Sequence, residues 1–289
     1  MASDCQIDVQ FFAAPADIAP CFTTIYLMTV DLPPGERVVD MLLPEWANMR
    51  FYSDTVAGPD SAALRSAGAQ RFQATGPSAQ PTRFEIGRSR VWGMGLSPLG
   101  WARYVGAEAA DFVNLVFDGE AEEAFAKLST LCETLCCAER DLDRQFESVC
   151  EQLRTAAPMP KDADRIIAVQ EAMADPYLTH VEDFADRLNL SKRTLERLCK
   201  RHCGFSPRVL LRRQRLVRTL GAFLTEPGSW TSVIDRHYHD QAHFVHEFKF
   251  FIGMSPSEYV AMPHPVLGAF AAERRRVWGS PVQSLDRQR

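Results

Sequence analysis

Apolar residues recur at helical spacing in two segments of the C-terminal half of the chain. The two apolar stripes consist of Leu195, Leu198 and Cys199 in the first segment and of Phe244, Phe248 and Phe251 in the second. Because residues three and four apart share one face of a helix, each stripe predicts a helix with one buried face. Ser191 and Asp240 stand just before the stripes, and their side-chain oxygens can accept hydrogen bonds from the free N–H groups of a first helical turn. Both residues are predicted N-caps.

The two segments are copies of one pattern, offset by 49 residues. Each copy ends in Gly-x-Ser-Pro, at Gly204 to Pro207 and at Gly253 to Pro256. A glycine readily adopts the left-handed conformation that ends a helix, and a proline is favoured in the first turn of the next one. The pattern therefore predicts two helix-turn-helix units. Apolar residues at helical spacing from Ser206 to Leu224 predict one rigid linker helix between them.

The N-terminal half has short runs of β-forming residues separated by turn residues. The runs are Thr23 to Leu32, Val38 to Leu43, Met49 to Tyr52, Arg71 to Ala74 and Arg90 to Met94. Turn residues occur at Pro33 to Gly35, Asp54 to Asp60, Gly76-Pro77 and Gly87. This spacing is typical of an antiparallel sandwich or barrel, so residues 1–118 are predicted to be a β-rich domain.

A helical pattern follows in residues 119–158. Its apolar stripe runs from Ala121 to Ala157, and the polar run from Glu139 to Asp141 interrupts it, which predicts two helices joined by a turn. The stripe has two interpretations. It packs against the β-rich domain, or it pairs two copies of the chain.

In the repeated residues the chain resembles the AraC/XylS family of bacterial transcription regulators. The resemblance covers residues 162–260 and rests on two signatures at the right mutual distance, VEDFADRLNLSKRTLERLCKRHCGFSPRVLLRRQRL and DQAHFVHEFKFFIGMSPSEY. It implies an α+β multidomain chain: an effector-binding β-barrel of cupin type, a connector that forms a homodimer, and two helix-turn-helix units that bind double-stranded DNA. RNA polymerase would be a further partner of an activator. The implied function is sequence-specific regulation of transcription, controlled by a small molecule, with no enzymatic activity.

Charge supports a nucleic-acid partner for the C-terminal part. The whole chain is acidic, with 32 Lys and Arg against 37 Asp and Glu, but residues 161–289 carry 20 basic and 15 acidic side chains. From Arg187 to Arg218 there are eleven basic residues and one acid, Glu196. Such a run is expected of a surface that displaces counterions from phosphates, and the alternative is a solvated basic face.

The resemblance places base contacts near the start of the second helix of each unit. These positions are Lys192, Arg193, Glu196 and Arg197 in the first unit, and Gln241, Ala242, Val245 and His246 in the second. Arg can bridge two acceptors of guanine, Gln can pair with adenine, and small apolar side chains meet the thymine methyl group. The expected phosphate contacts are Lys200, Arg201, Arg212 and Lys249.

The second unit departs from the family pattern. Ile234, Tyr238 and His239 stand where a small residue, a glycine and an aromatic residue are usual, and Phe250 replaces a basic residue. We therefore expect the first unit to supply most of the affinity for DNA and the second to discriminate between sequences.

The β-rich domain offers candidate effector contacts but no metal chemistry. The candidates are Trp46, Arg50, Tyr52, Trp92 and Trp101, although each is more often a core or surface residue. All seven histidines lie after residue 179, so a cupin metal site held by histidines is excluded and no cofactor is expected. Two alternatives to the ligand-controlled regulator stay open: an architectural protein that bends DNA and, less favoured, a β-barrel enzyme with an accessory DNA-binding domain.

Eight cysteines and the histidines between His237 and His246 invite a redox or metal site. Cysteine is commonly a small buried residue, and structural zinc requires four ordered ligands, so we expect neither role. The sequence shows no secretory signal and no apolar run long enough to cross a membrane, which predicts a cytoplasmic chain. Residues 261–289 carry a short helical pattern from Val266 to Trp278 and are expected to be a solvated tail, with a brace or a phosphate contact as the alternatives.

Overall fold

The computed structural model describes residues 5–53, 71–137, 141–225 and 234–279. Within these ranges the chain is an α+β protein with a sheet-rich N-terminal part and a helical C-terminal part, as the sequence predicts. The turn expected from Asp54 to Asp60 and the start of the one at Glu139 lie outside the described residues.

The described strands form two antiparallel sheets. The strands are β1 Gln6–Phe11, β2 Phe22–Asp31, β3 Val38–Leu42, β4 Asn48–Ser53, β5 Phe72–Thr75, β6 Thr82–Ile86, β7 Ser89–Leu96 and β8 Val116–Asp118. Six form one sheet in the order β1-β2-β7-β4-β5-β8, and β3 pairs with β6 in a separate ribbon. Within the described ranges no pairing closes the strands into a barrel. The described strands thus form a sheet-rich domain in which the β3–β6 ribbon packs on one face of the large sheet.

The large sheet is buried on both faces. Met49 and Phe51 of β4 enter a core shared with the connector helices, whereas Arg50 and Tyr52 face the opposite side, toward the ribbon. Strands covered on both sides bury residues of either parity, which explains why β4 and β7 read as continuous runs rather than as an alternation.

The described α-helices follow β7. They are α1 Pro98–Gly100, α2 Ala126–Ser129, α3 Leu131–Leu135, α4 Leu142–Ala156, α5 Ala163–Ala174, α6 Val181–Arg187, α7 Lys192–Cys203, α8 Pro207–Thr225, α9 Gln241–Ile252, α10 Pro256–Ala261 and α11 Pro265–Trp278. Among the described residues there is no helix with the length and apolarity needed to cross a membrane.

The connector helices α2 to α4 pack on the large sheet. Leu128, Leu135 and Leu153 are fully buried in the core that contains Phe51 and Trp92. The first predicted helix is divided into α2 and α3, and the second is α4. Because the apolar stripe is buried within the chain, it follows the packing interpretation, and a pair of chains would have to meet through other residues.

The first helix-turn-helix unit, α6 and α7, is fixed to the β-rich domain. Gly204, which follows α7, has φ of +81°, and a Cβ atom placed there would lie 2.7 Å from Val113 Cγ1. The linker α8 is one helix of 19 residues, as predicted. It leads to the second unit, in which α9 corresponds to α7.

Helix α11 differs from the expected solvated tail. It packs on β1 and β3, where its Phe270 ring meets Tyr26 with centroids 4.7 Å apart and its Trp278 ring meets Phe11 at 4.5 Å. The pattern from Val266 to Trp278 is apolar on one side because that side covers the N-terminal sheet. Residues 280–289 lie outside the described part.

Candidate nucleic-acid interface and internal cavity

The starts and ends of α7 and α9 are set by the predicted caps. The Ser191 hydroxyl accepts a hydrogen bond from the backbone N–H three residues on at 3.2 Å, and the Asp240 carboxylate does the same at 2.7 Å. The helices end at Gly204 and Gly253, which have φ of +81° and +76°. These four predictions are confirmed, and each cap satisfies backbone groups that the helix itself leaves free.

The exposed face of α7 carries the predicted contacts of the first unit. Lys192, Arg193, Glu196, Arg197, Lys200 and Arg201 are all exposed. Lys200 Nζ lies 3.0 Å from Glu196 Oε1, and Lys192 pairs with Glu182. Arg193, Arg197 and Arg201 form no ion pair with any residue that the structure describes. Exposed pairs are weak because water and salt screen them, so all these cations are available to a polyanion.

The exposed face of α9 is chemically different. Gln241, Ala242, His246 and Lys249 are exposed, while Val245 is half-buried against the core of the second unit. Lys249 is the single permanent cation on this face of the helix. The face can offer an amide, a methyl group and an imidazole to base edges, with little attraction for phosphates.

The Arg212 side chain packs against α9. Its guanidinium stacks on the Phe250 ring at 4.7 Å, and its Nε lies 3.6 Å from Glu247 Oε2. The aromatic residue that departs from the family pattern thus packs on this arginine. The side chain joins α8 to α9, a role that its position in the basic run concealed, and its contact with phosphate stays a prediction.

A buried carboxylate strengthens the same joint. The Glu247 side chain is 2% exposed, and Arg215 Nη2 donates to its two oxygens at 3.0 and 2.7 Å. His243 Nε2 lies 3.3 Å away. A second pair links Arg218 Nε to Asp235 Oδ2 at 3.1 Å. These contacts fix the orientation of α9 on the linker helix.

Arg213 joins the linker helix to the β-rich domain, and sequence reasoning missed it. The residue is 1% exposed, its guanidinium lies 3.9 Å from the Trp46 ring centroid, and Nη1 donates to the carbonyl oxygens of Glu45 at 3.3 Å and Ser78 at 3.0 Å. Burial lowers its pKa to about 10. A signal existed in the sequence, because Arg213 falls within the apolar stripe of α8 four residues after Val209.

Another basic residue that was missed lies on the surface. Arg208, in the first turn of α8, is exposed and has no ion pair among the described residues. Four of the eleven basic residues from Arg187 to Arg218 are exposed and form no ion pair with a described residue. They are Arg193, Arg197, Arg201 and Arg208. The basic surface is therefore narrower than the run suggests, and it centres on α7.

A cavity of about 140 Å³ lies between the sheet, α8 and α11. Trp46, Arg50 and Tyr52, three of the candidate effector contacts, line it. The other two candidates, Trp92 and Trp101, are fully buried in the core on the connector side and do not line it. The space is enough for a small organic molecule rather than for one or two waters.

The histidines and cysteines form no metal site in the described residues. His237 bonds to Asp235 at 2.7 Å, and the rings of His239 and His243 stack 5.5 Å apart. In that part of the chain no three His, Cys, Asp or Glu side chains are placed to hold a metal ion. A hydrogen bond with Cys203, together with burial, raises the pKa of the Cys199 thiol, which disfavours its thiolate.

Comparison with known proteins identifies the helical region. Residues 184–262 match the model of a family described as a helix-turn-helix domain. No curated protein matches the chain. Among solved structures, ToxT from Vibrio cholerae is 12% identical, with a TM-score of 0.37 over 89% of this chain and 97% of that one. The AraC-like transcriptional activator CuxR is 12% identical, with a TM-score of 0.27 over 73% and 85%. At these scores neither likeness carries an argument.

Proposed function

We propose that this chain reads a specific DNA sequence under the control of a small molecule held in the internal cavity. The chain is a DNA-binding transcription regulator by virtue of the AraC-type helix-turn-helix domain at residues 184–262. The observation that carries the proposal is the position of α8. One side of this helix lines the cavity, and the helix also joins the two recognition helices α7 and α9.

In the proposed complex, α7 supplies the affinity. Arg193 and Arg197 enter the major groove from the first two turns of the helix and can each bridge two acceptors of guanine, while Lys192 and Glu196 flank them. Lys200, Arg201 and the newly assigned Arg208 hold phosphates. All of these side chains are exposed.

The second unit discriminates between sequences. Gln241, Ala242, Val245 and His246 of α9 meet base edges, and Lys249 contacts the backbone of the DNA. The joint formed by Arg212, Arg215 and Glu247 fixes α9 on α8, so the two recognition helices have a set separation. Two helices on one side of DNA reach successive major grooves when they are about 34 Å apart, or when the DNA bends.

Ligand control acts through the linker helix. Arg213, Leu216 and Leu220 of α8 line the cavity, opposite Arg50 and Tyr52 of β4. A molecule in the cavity changes how α8 sits on the sheet, and thereby changes the spacing of α7 and α9. It can shift the DNA-binding equilibrium only by as much as its affinity differs between the two arrangements.

A homodimer stays a prediction. Two-fold symmetric binding would double the contacts with DNA, which is the usual reason for such regulators to pair. Light scattering of the full chain at micromolar concentration tests it, and a monomer would remove the idea.

The function is tested by footprinting on DNA upstream of the chain's own gene, repeated across salt concentrations. We expect a protected, sequence-specific site. Arg197→Ala should weaken it about 5- to 160-fold, because a good bidentate contact contributes about 1–3 kcal/mol. Gln241→Ala should only relax the preference at one half-site, and Arg83→Ala, which removes an exposed arginine from β6, should change nothing.

The same experiment separates the architectural alternative. Equal losses from Arg197→Ala and Gln241→Ala would contradict the division of roles between the units. Salt-sensitive binding without a protected site would contradict sequence-specific regulation and favour a protein that bends DNA.

A further inference from the structure

The cavity carries an excess of positive charge. Its ionisable lining residues are Arg50, Arg213, Arg274, Glu45, Tyr26, Tyr52 and Tyr259. Burial raises the pKa of the three tyrosines, so they are neutral at physiological pH. Three guanidinium groups therefore face one carboxylate. A site with this balance attracts an anion.

The three cations differ in how far they are satisfied. Arg50 Nη2 forms an ion pair with Glu45 Oε1 at 2.6 Å, which uses the carboxylate. Arg213 bonds to two backbone carbonyls through Nη1, while its buried Nη2 has no partner. Arg274 has no hydrogen bond or ion pair with any described residue, and its Nε is buried. The Arg274 side chain as a whole is half-buried, and a partly desolvated charge without a close partner is costly, so Arg274 is the cation most in need of an anion.

Most of the rest of the wall is apolar, and its uncharged polar residues are Asn48, Gln73, Thr82 and Gln214. Its apolar residues include Met28, Leu42, Trp46, Phe84, Ile86, Val116, Leu216, Leu220, Ile252 and Phe270. The Arg274 guanidinium itself lies 5.5 Å from the ring centroids of Phe11 and Phe270, and the carboxylate that attracts it, Glu45, is already paired with Arg50. A fully polar anion would lose its hydration here and gain few partners, whereas one with an apolar body would bury that body.

We propose that the cavity binds a small organic anion, with an apolar body and one carboxylate or phosphate group, and that Arg274 of α11 pairs with the anionic group. The inference rests on the proposed function, because it names the chemistry of the effector at that site. It also assigns a role to α11, which lies beyond the matched helix-turn-helix domain.

Helix α11 is held so that Arg274 reaches the cavity. The buried Asp40 carboxylate accepts hydrogen bonds from the backbone N–H groups of Val266 and Leu267, each at 2.9 Å, and so fixes the first turn. Leu267 and Arg274 are seven residues apart, which is two turns, and both line the cavity.

The same helix also touches the linker. Arg275, next to the proposed anion partner, donates to the backbone carbonyl of Leu224 near the end of α8. An anion that pulls on Arg274 therefore acts on a helix that is bonded to α8. This contact offers a direct route from the cavity to the element that sets the spacing of α7 and α9.

The test is isothermal titration calorimetry on the full chain with two probes that share one apolar body, 4-phenylbutyrate and 4-phenyl-1-butanol. We expect the acid to bind at least about tenfold more tightly than the alcohol, because its carboxylate gains a desolvated ionic partner. Arg274→Gln should abolish this preference. The matched control, Arg276→Gln, removes an exposed arginine two residues further along α11 and should keep it.

Folding of the variants is checked independently. Arg274 is half-buried and has no ion pair with a described residue, so Arg274→Gln should not lower the midpoint of thermal unfolding of the free chain. Arg274→Lys keeps the charge and should keep part of the preference for the acid. An Arg274→Gln chain that melts no lower than the wild type and has lost the preference supports the inference.

Several results would overturn it. The inference is wrong if the wild-type chain does not bind the acid, if acid and alcohol bind equally, or if Arg274→Gln keeps the preference. Footprinting in the presence of each probe keeps the proposed function separate. If the alcohol binds as tightly as the acid and shifts the footprint, ligand control is supported and the preference for an anion is contradicted. If the acid binds as inferred but leaves the footprint unchanged, only ligand control is contradicted.

Discussion

The joint between α8 and α9 gives a sharp test of the energetics, through Glu247→Gln. This change keeps the shape of the side chain but removes the charge that faces Arg215 Nη2 at 2.7 and 3.0 Å and Arg212 Nε at 3.6 Å. The carboxylate is 2% exposed, and removing one partner from such a pair leaves the other charge without compensation. The expected loss in the free energy of unfolding is about 3 kcal/mol.

The assay is urea unfolding of the full chain, with Glu196→Gln as the matched control. Glu196, on the recognition helix α7, also forms an ion pair, with Lys200 at 3.0 Å, but both of these side chains are about half exposed. Its loss should cost under about 0.5 kcal/mol. A double-mutant cycle of Glu247→Gln with Arg215→Gln should show a coupling energy of about 2 kcal/mol. Equal effects of Glu247→Gln and Glu196→Gln, or a coupling near zero, would refute the buried joint.

Three further predictions concern packing, pH and thiols. Gly204→Ala should destabilise the chain by about 1 kcal/mol or more beyond Gly279→Ala, because both glycines have positive φ but only a Cβ at Gly204 meets another atom. Urea unfolding measures the difference, and equal losses of stability in the two variants would contradict the packing at Gly204. The hydrogen bond with Asp40 raises the pKa of His264. The stability that this bond adds to the folded chain is therefore complete below the ordinary histidine pKa of about 6.5, and it is lost as pH rises through the raised pKa. Amide exchange in residues 265–278, corrected for intrinsic rates, should therefore be slower at pH 6 than at pH 8.5, and His264→Asn should remove that dependence. Iodoacetamide should label the exposed Cys137 before the buried thiols, and DNA binding should survive peroxide; loss of binding would revive a redox switch.

The features that the sequence predicted well are those decided by near neighbours. Ser191 and Asp240 cap their helices through the N–H group three residues on, and Gly204 and Gly253 end them by adopting a left-handed conformation. Each requires only a few residues of chain. The same locality explains why α8 is predicted as one helix from its spacing alone.

The features that the sequence did not predict depend on distant partners. Nothing near Arg212 in sequence shows that its side chain will contact Phe250 and Glu247. Arg213 bonds to the carbonyl of Glu45, 168 residues away. Periodicity in the connector predicts one buried face without saying what buries it, so only the family resemblance favours pairing of two chains over packing on the sheet.

The return of α11 to the N-terminal sheet has a consequence for the order in which the protein can be completed. The chain is made from its N-terminus, so β1 to β8 leave the ribosome before the DNA-binding domain and long before residues 265–278. Until α11 emerges, the Tyr26 ring and the Asp40 carboxylate lack the helix that covers them. The β-rich domain is therefore completed only after the helix-turn-helix domain has been made. A β-rich fragment expressed by itself, ending at residue 158, would lack α8 and α11, two of the helices that line its cavity.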